Sequence, residues 1–255
     1  MIAKADMIDG AAKALAVLES FDTTRQRLNA TLAAERAGIS RAAARRHLLT
    51  LEHLGYLEER DGFYWLSPKV LRLSGSYLAS ARLPRLVQPA LNRLCGLTGQ
   101  SFSVAVRELD EMVIIARSTP SDKNRTLTAH GTHLGARLSL YATSTGRVWL
   151  SQLGVAELRE ELGRLSLHRL TPQTLTAKTD LQRVLRQIRK QDYALVREEH
   201  ELGIQALAVP VRDMRGRLQA ALNVVVSTKE FPGEDWVRVY LPYLQEVSQE
   251  WMAQI

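Results

Sequence analysis

"SRAAARRHLL" (residues 40–49) sets three arginines and a histidine among alanines, directly after the turn-like "AGI" (residues 37–39). No acid follows until Glu52. A solvated surface helix ordinarily mixes Arg with Glu, so this basic run raises the question of an anionic partner. At about 100° per residue, Ala44, Leu48 and Leu51 form one stripe suited to burial. Ala42 and Arg46 point the other way, and Arg41 and Arg45 lie on the flanks. Leu49 also projects outward, with no evident role. Small alanines let a helix backbone sit deep in a major groove about 12 Å wide. Arginines at its N-terminal end then reach base edges or phosphates, and the missing acids spare the helix repulsion from the phosphate backbone. The residues expected to meet DNA are Arg41, Ala42, Arg45, Arg46, His47 and Thr50. A merely solvated basic helix is the alternative, and the neighbouring sequence weighs against it.

"IDGAAKALAVLESF" (residues 8–21) carries Ala14, Leu15, Leu18 and Phe21 at helical spacing. "NATLAAERAG" (residues 29–38) reads as a short helix with Asn29 at its N-cap and Gly38 closing it. Ser40 caps the basic helix, which runs to about Leu54 before Gly55 stops it. The short glycine-containing turn between the two is helix-turn-helix spacing. In "YLEERDGFYWL" (residues 56–66), Asp61-Gly62 is a two-residue hairpin turn between strand-like flanks. Three helices and a hairpin make a winged helix-turn-helix. The wing is acidic on balance, so Arg60 is its one phosphate candidate, and Phe63, Tyr64 and Trp65 read as hairpin packing. Arg25 and Arg27, in the loop before the second helix, are phosphate candidates or simply solvated charges.

"SPKVLRLSGSYLAS" (residues 67–80) restarts a helix, with Ser67 at N-cap and Pro68 at N1. Pro84 opens another, whose internal Pro89 either bends it or marks its true start. From Ser101 the texture changes. "SFSVAVRE", "EMVIIARS", "RTLTAHG", "YALVREE", "IQALAVPVRD" and "LQAALNVVVS" read as strands. "TSTGRVWLSQL", "DLQRVLRQIRKQ" and residues 233–254 read as helices. The division expected is a DNA-binding domain over residues 1–66, a linker helix over 67–82 and a second domain over 83–255. The fold class is α+β, with a mainly antiparallel sheet in the second domain.

The chain has 255 residues, a formal net charge of +7 and 45% hydrophobic residues, enough for a real core and a mildly basic surface. One cysteine, Cys95, excludes an internal disulfide and fits a reducing, cytoplasmic setting. No apolar run is long enough to span a bilayer, and the N-terminus lacks a signal-peptide core, so no membrane partner is expected. "HGTH" and "EEHELG" lack the His-Glu-x-x-His order of a zinc hydrolase. No metal and no cofactor are expected. No nucleophile–base–acid set is visible, so an enzyme, such as a DNA-tethered one acting on aromatic acids, is the weaker reading.

Six stretches together carry a resemblance: "GAAKALAVLESF", "RAAARRHLLTLEHLGYL", "LSPKVLRLSGSYL", "HLGARLSLYATSTGRV", "LHRLTPQTLT" and "EEHELGIQALAVPV". Over nearly its whole length the chain resembles the IclR family of bacterial transcription regulators. Within it, the match is to the branch answering p-hydroxybenzoate, protocatechuate or β-ketoadipate, p-hydroxybenzoate foremost. The resemblance implies a GAF/profilin-like α+β effector-binding domain. It also implies homodimers or dimers of dimers on palindromic operators in double-stranded DNA, an activator of aromatic-acid catabolism genes, and RNA polymerase as a further partner. The helix of residues 67–80 would carry the dimer contact.

The family places its effector, here a small aromatic carboxylate, under the loop leading into "ATSTG". The chemistry there suits one. A helix N-terminus offers unpaired N–H groups to a carboxylate, and Thr143, Ser144 and Thr145 add hydroxyls. Arg137 could pair with the same carboxylate or with a protein acid. Tyr141 could stack on a phenol or hydrogen-bond to it. Asn223 matches a family effector-contact position, as does Ala206 beside Gln205, which is taken with it as a candidate. Asn223 sits inside an apolar strand, where an amide needs a partner. The chain departs from the family pattern at Ser139, where Pro is expected, and at Tyr141, where His is frequent, and both bear on which effector fits.

Overall fold

The computed structural model describes residues 6–23, 25–120 and 133–255. Contacts within the chain fall into two compact units, Met1–Ser80 and Ala81–Ile255.

The first unit holds α1 (Asp9–Glu19), α2 (Ala30–Ala37), α3 (Arg41–His53), β1 (Leu57–Arg60) and β2 (Phe63–Leu66). The caps are side-chain caps: Asn29 Oδ1 accepts from the N–H groups of Thr31 and Leu32, and Ser40 Oγ from Ala43 N–H. Gly38 ends α2 at φ 65°, the left-handed conformation that turns the chain into α3. Val17, Leu28, Ala33, Ala44, Leu48, Leu51, Leu57 and Tyr64 share one core. β1 and β2 pair antiparallel through a turn in which Asp61 and Gly62 both have positive φ, the type I′ geometry that suits strand twist. Leu28 bridges Tyr64 through two backbone hydrogen bonds of 3.0 and 2.8 Å, so the wing is pinned to the loop before α2.

A 3-10 turn (Pro68–Val70), capped by Ser67, leads into α4 (Leu71–Ser80). α4 groups with the first unit and has no buried residue. Leu71 and Leu73 on it are 65% and 60% exposed, an apolar surface that the rest of the unit does not cover.

The second unit contains a six-stranded sheet in the order β5-β4-β3-β8-β7-β6, antiparallel at every pairing. Its strands are β3 (Ser101–Glu108), β4 (Glu111–Ser118), β5 (Arg137–Ser139), β6 (Ala194–Arg197), β7 (Ile204–Arg212) and β8 (Leu218–Ser227). α5 (Arg82–Thr98) and α9 (Asp235–Met252) cover one face. α6 (Ser144–Gln152) and α8 (Lys178–Gln191) cover the other, with α7 (Val155–Arg164) beside them.

Strand alternation divides the sheet unequally. Toward α5 and α9 point Phe102, Val104, Leu207, Val209, Leu222, Val224 and Val226, a close-packed large-residue face. Toward α6 point smaller residues, among them Ala105, Ala208 and Ala221.

Three expectations change. α5 starts at Arg82, two residues before Pro84, and continues past Pro89, which therefore does not mark its start. α7 and the three-residue β5 were not anticipated, because α7 is mostly charged and β5 is too short for a period. The strand expected at "RTLTAHG" lies outside the described residues.

Candidate functional site

The outward face of α3 is the first candidate. Ala44 and Leu48 are fully buried and Leu51 nearly so. Arg41, Ala42, Arg45, Arg46 and Thr50 are exposed, and His47 is half-buried. Among the described residues, Arg41, Arg45 and Arg46 form no ion pair, so three cations stand free on one helix end. Thr50 Oγ1 donates back to the Arg46 carbonyl at 2.8 Å, which leaves its lone pairs and methyl facing outward. Arg25 is exposed in the loop before α2, with its backbone N–H donated to Asp22 Oδ1 at 2.7 Å. Arg60 is exposed at the wing tip, 3.6 Å from Asp61. Arg27 lies with its guanidinium 4.7 Å above the Trp65 ring, and Trp65 Nε1 donates to Glu58 at 3.0 Å. That stack fixes Arg27 on the wing rather than leaving it as a loose loop charge.

The second candidate is a pocket between the small-residue face of the sheet and the start of α6. Its floor is set by strand register. Arg117 on β4 pairs with Ser103 on β3, and Ser103 pairs with Asn223 on β8. These three therefore stand side by side in one row. Ser101, Val225, Ala206 and Val196 form the next row. Ser103 Oγ donates to Asn223 Oδ1 at 2.5 Å, the partner that a buried strand amide needs. Arg117 is half-buried, and burial pulls its pKa below the ordinary guanidinium range with no carboxylate acting on it. A guanidinium remains charged in such a place. Among the described residues its side chain has no acidic partner.

The wall is the α6 N-terminus. Thr143 caps it: its Oγ1 accepts from Gly146 N–H at 3.2 Å and donates to the Ser139 carbonyl at 2.6 Å. Ser144 Oγ is buried, lines the cavity and has no hydrogen-bond partner among the described residues. Gly146 lets the helix close on its own lead-in loop, since a Cβ there would lie 2.3 Å from the Leu140 carbonyl oxygen. The rim is the segment of residues 198–201. Arg147, 2% exposed, donates from both terminal nitrogens to the Glu199 carboxylate at 2.6 and 2.5 Å. The Thr171 and Thr174 hydroxyls donate to the Glu198 and Glu199 carbonyls at 2.6 and 2.7 Å. His200 sits on the exposed rim, where neighbouring atoms shield its imidazole and lower its pKa.

Of the eight residues expected to hold an effector, the cavity brings together Thr143, Ser144, Thr145, Ala206 and Asn223. The other three require correction. Arg137 is an exposed residue of edge strand β5, ion-paired with Glu111 and outside the cavity. Tyr141 is buried and spends its hydroxyl on the His168 carbonyl at 2.8 Å. Gln205 points to the opposite face of β7 from Ala206, and its amide donates to the Phe231 carbonyl. Arg117 and Ser103 were missed. The signal for Ser103 was present in "SFSVAVRE", where small residues alternate with Phe102 and Val104. Arg117 follows the apolar run of residues 112–116 in β4, and only register puts it in one row with Asn223. Among the described residues no cluster of His, Cys, Asp or Glu is placed to hold a metal ion, and no helix is long and apolar enough to cross a membrane.

A helix-turn-helix unit with a free basic helix, followed by an α+β unit with a cavity at its sheet, is the build of a transcriptional regulator. The chain belongs to the IclR family of bacterial transcriptional regulators: the model of the IclR helix-turn-helix domain matches residues 10–61, and that of the bacterial transcriptional regulator IclR C-terminal domain matches residues 75–252. It is 45% identical over 245 residues to the Pca operon regulatory protein of Acinetobacter baylyi, covering 96% of this chain and 88% of that one. It is 46% identical over 246 residues to the p-hydroxybenzoate hydroxylase transcriptional activator of the same organism, covering 96% and 91%. A crystal structure of a double mutant of the PobR inducer-binding domain from Acinetobacter, in complex with 3-hydroxybenzoic acid, superposes with a TM-score of 0.65 at 38% identity, covering 69% of this chain and all of that one.

Proposed function

We propose that this regulator responds to a small aromatic carboxylate, p-hydroxybenzoate, and activates genes for its breakdown. The observation that carries the reading is Arg117: a half-buried cation that lines the pocket and has no acidic partner among the described residues. A guanidinium that lines a recess together with hydroxyl and amide groups is matched by a planar carboxylate, which it can bind through two parallel hydrogen bonds. The alanines and valines of the sheet suit an aromatic ring, and Ser103, Asn223 and Ser144 offer oxygen and amide partners to a ring hydroxyl. The names of the relatives point to the same ligand class.

In this reading the chain works as a homodimer, or a dimer of dimers, on a palindromic operator, with recognition helices about 34–36 Å apart. The exposed apolar residues of α4 supply the contact between copies. The linker of residues 67–82 passes the effector's signal between a DNA-binding domain of residues 1–66 and an effector domain of residues 83–255. The effector acts through different affinity for alternative arrangements of the dimer, and the bound regulator recruits RNA polymerase in the cytoplasm.

Titration calorimetry of the full chain with p-hydroxybenzoate, protocatechuate and benzoate tests the effector. Saturable heat is expected with p-hydroxybenzoate and less with benzoate. Stronger heat with protocatechuate reassigns the ligand, and none with any of the three overturns the reading. Transcription from the target promoter with purified RNA polymerase tests the sign: p-hydroxybenzoate is expected to raise transcript, and a fall makes the protein a repressor.

A further inference from the structure

Leu49 is the one large residue on the outward face of α3 that neither the core nor the charge pattern explains. It is 40% exposed, whereas Leu48 beside it is fully buried, and it takes no part in the core of the first unit. A lone exposed leucine is ordinary on a protein surface. Its position here is not. At about 100° per residue it lies roughly 40° from Arg45 and roughly 60° from Arg46, and close to the line of Ala42 two turns earlier. The outward face thus reads Ala42, Arg45, Arg46, Leu49 and His53, with Thr50 and Glu52 at its edges. Every member but Leu49 is either small or able to hydrogen-bond.

DNA offers one apolar feature in the major groove, the C5-methyl of thymine. A helix that brings Arg46 to a base edge or phosphate carries Leu49 about 4.5 Å further along its axis, at 1.5 Å per residue. Base pairs follow one another every 3.4 Å, so that advance reaches about one to two pairs on. We propose that Leu49 reads a thymine in each half-site, its isobutyl group packing against the C5-methyl. A cytosine in that place leaves the leucine without an apolar surface, so the contact discriminates without a hydrogen bond. The inference rests on the family's DNA-binding function and is independent of the effector.

The test uses the full chain and a duplex that it selects from a randomised library, in which each thymine is replaced in turn by uracil. Uracil keeps the base pair and removes only the methyl. At one thymine per half-site, wild-type binding is expected to weaken about fourfold, the factor for a single buried methyl-sized group. Leu49→Ala, which removes the contact from both half-sites, binds the unmodified duplex about 16-fold more weakly than wild type and is insensitive to uracil at that position. Leu49→Met, which stays apolar, retains the sensitivity. Equal response of wild type and Leu49→Ala to uracil at every thymine overturns the proposal, as does a selected half-site with no thymine. Altered sedimentation of Leu49→Ala without DNA overturns it too, by assigning the residue to a contact between copies.

Discussion

Arg147 and Glu199 form a buried, two-pronged ion pair that ties the first turns of α6 to the rim of the cavity. Glu199 also accepts the Leu175 N–H at 3.0 Å, and Arg147 Nε donates to the Tyr141 carbonyl at 2.7 Å. One pair therefore joins four segments around the cavity. Breaking such a pair leaves an uncompensated buried charge, which typically costs about 3–5 kcal/mol. Glu199→Gln is expected to lower the melting temperature of the second unit by roughly 6–20 °C in calorimetric scans. The double change Arg147→Met with Glu199→Leu removes both charges and recovers much of that loss. A double variant no more stable than Glu199→Gln would show that packing, not charge, dominates here.

Arg117 and Arg137 give opposite expectations, although both are arginines near the same sheet edge. Removing the charged partner of a carboxylate costs about 1.5–3 kcal/mol, so Arg117→Gln should weaken p-hydroxybenzoate binding roughly 10- to 150-fold by calorimetry. Arg137→Gln should leave that affinity within about 0.5 kcal/mol of wild type, as surface changes usually do. The reverse ranking would return the carboxylate to β5.

Gly146→Ala drives a methyl into the Leu140 backbone, and backbone cannot rotate away as a side chain can. Overpacking of this kind costs about 1–3 kcal/mol. Denaturant titration should show that loss, and effector affinity should fall with it, because the displaced lead-in loop carries the cavity residues Leu138, Ala142 and Thr143. Wild-type affinity in a destabilised Gly146→Ala protein would separate the close packing from the ligand site.

Arg46→Ala should weaken binding to the selected duplex by about 1–3 kcal/mol in gel-shift titrations. Its affinity for p-hydroxybenzoate should not change, since Arg46 and the cavity belong to separate units. Unchanged operator affinity would remove Arg46 from the DNA-reading face.

The DNA-binding unit was legible in the sequence because its signals are local. Asn29, Ser40 and Ser67 cap the elements that follow them, and Asp61-Gly62 makes the turn that its residue types demand. The buried stripe Ala44, Leu48, Leu51 follows from helical period alone. The cavity was legible only in part. Thr143, Ser144 and Thr145 line the pocket, and the sequence points to them because a helix N-terminus is a local feature. Arg137 was chosen because it precedes them in sequence, yet the chain between them turns away at β5 and Glu111 neutralises it. Gln205 and Ala206 are neighbours in sequence, yet strand alternation sends them to opposite faces.

The sequence by itself determined the caps, the turns and the buried helical stripe of the first unit, because each depends on residues a few positions apart. Tertiary structure alone decided which cation meets the cavity. Arg117, Ser103 and Asn223 are brought into one row by the pairing of β4, β3 and β8. That register is set by packing across both faces of the sheet, and no spacing along the chain encodes it.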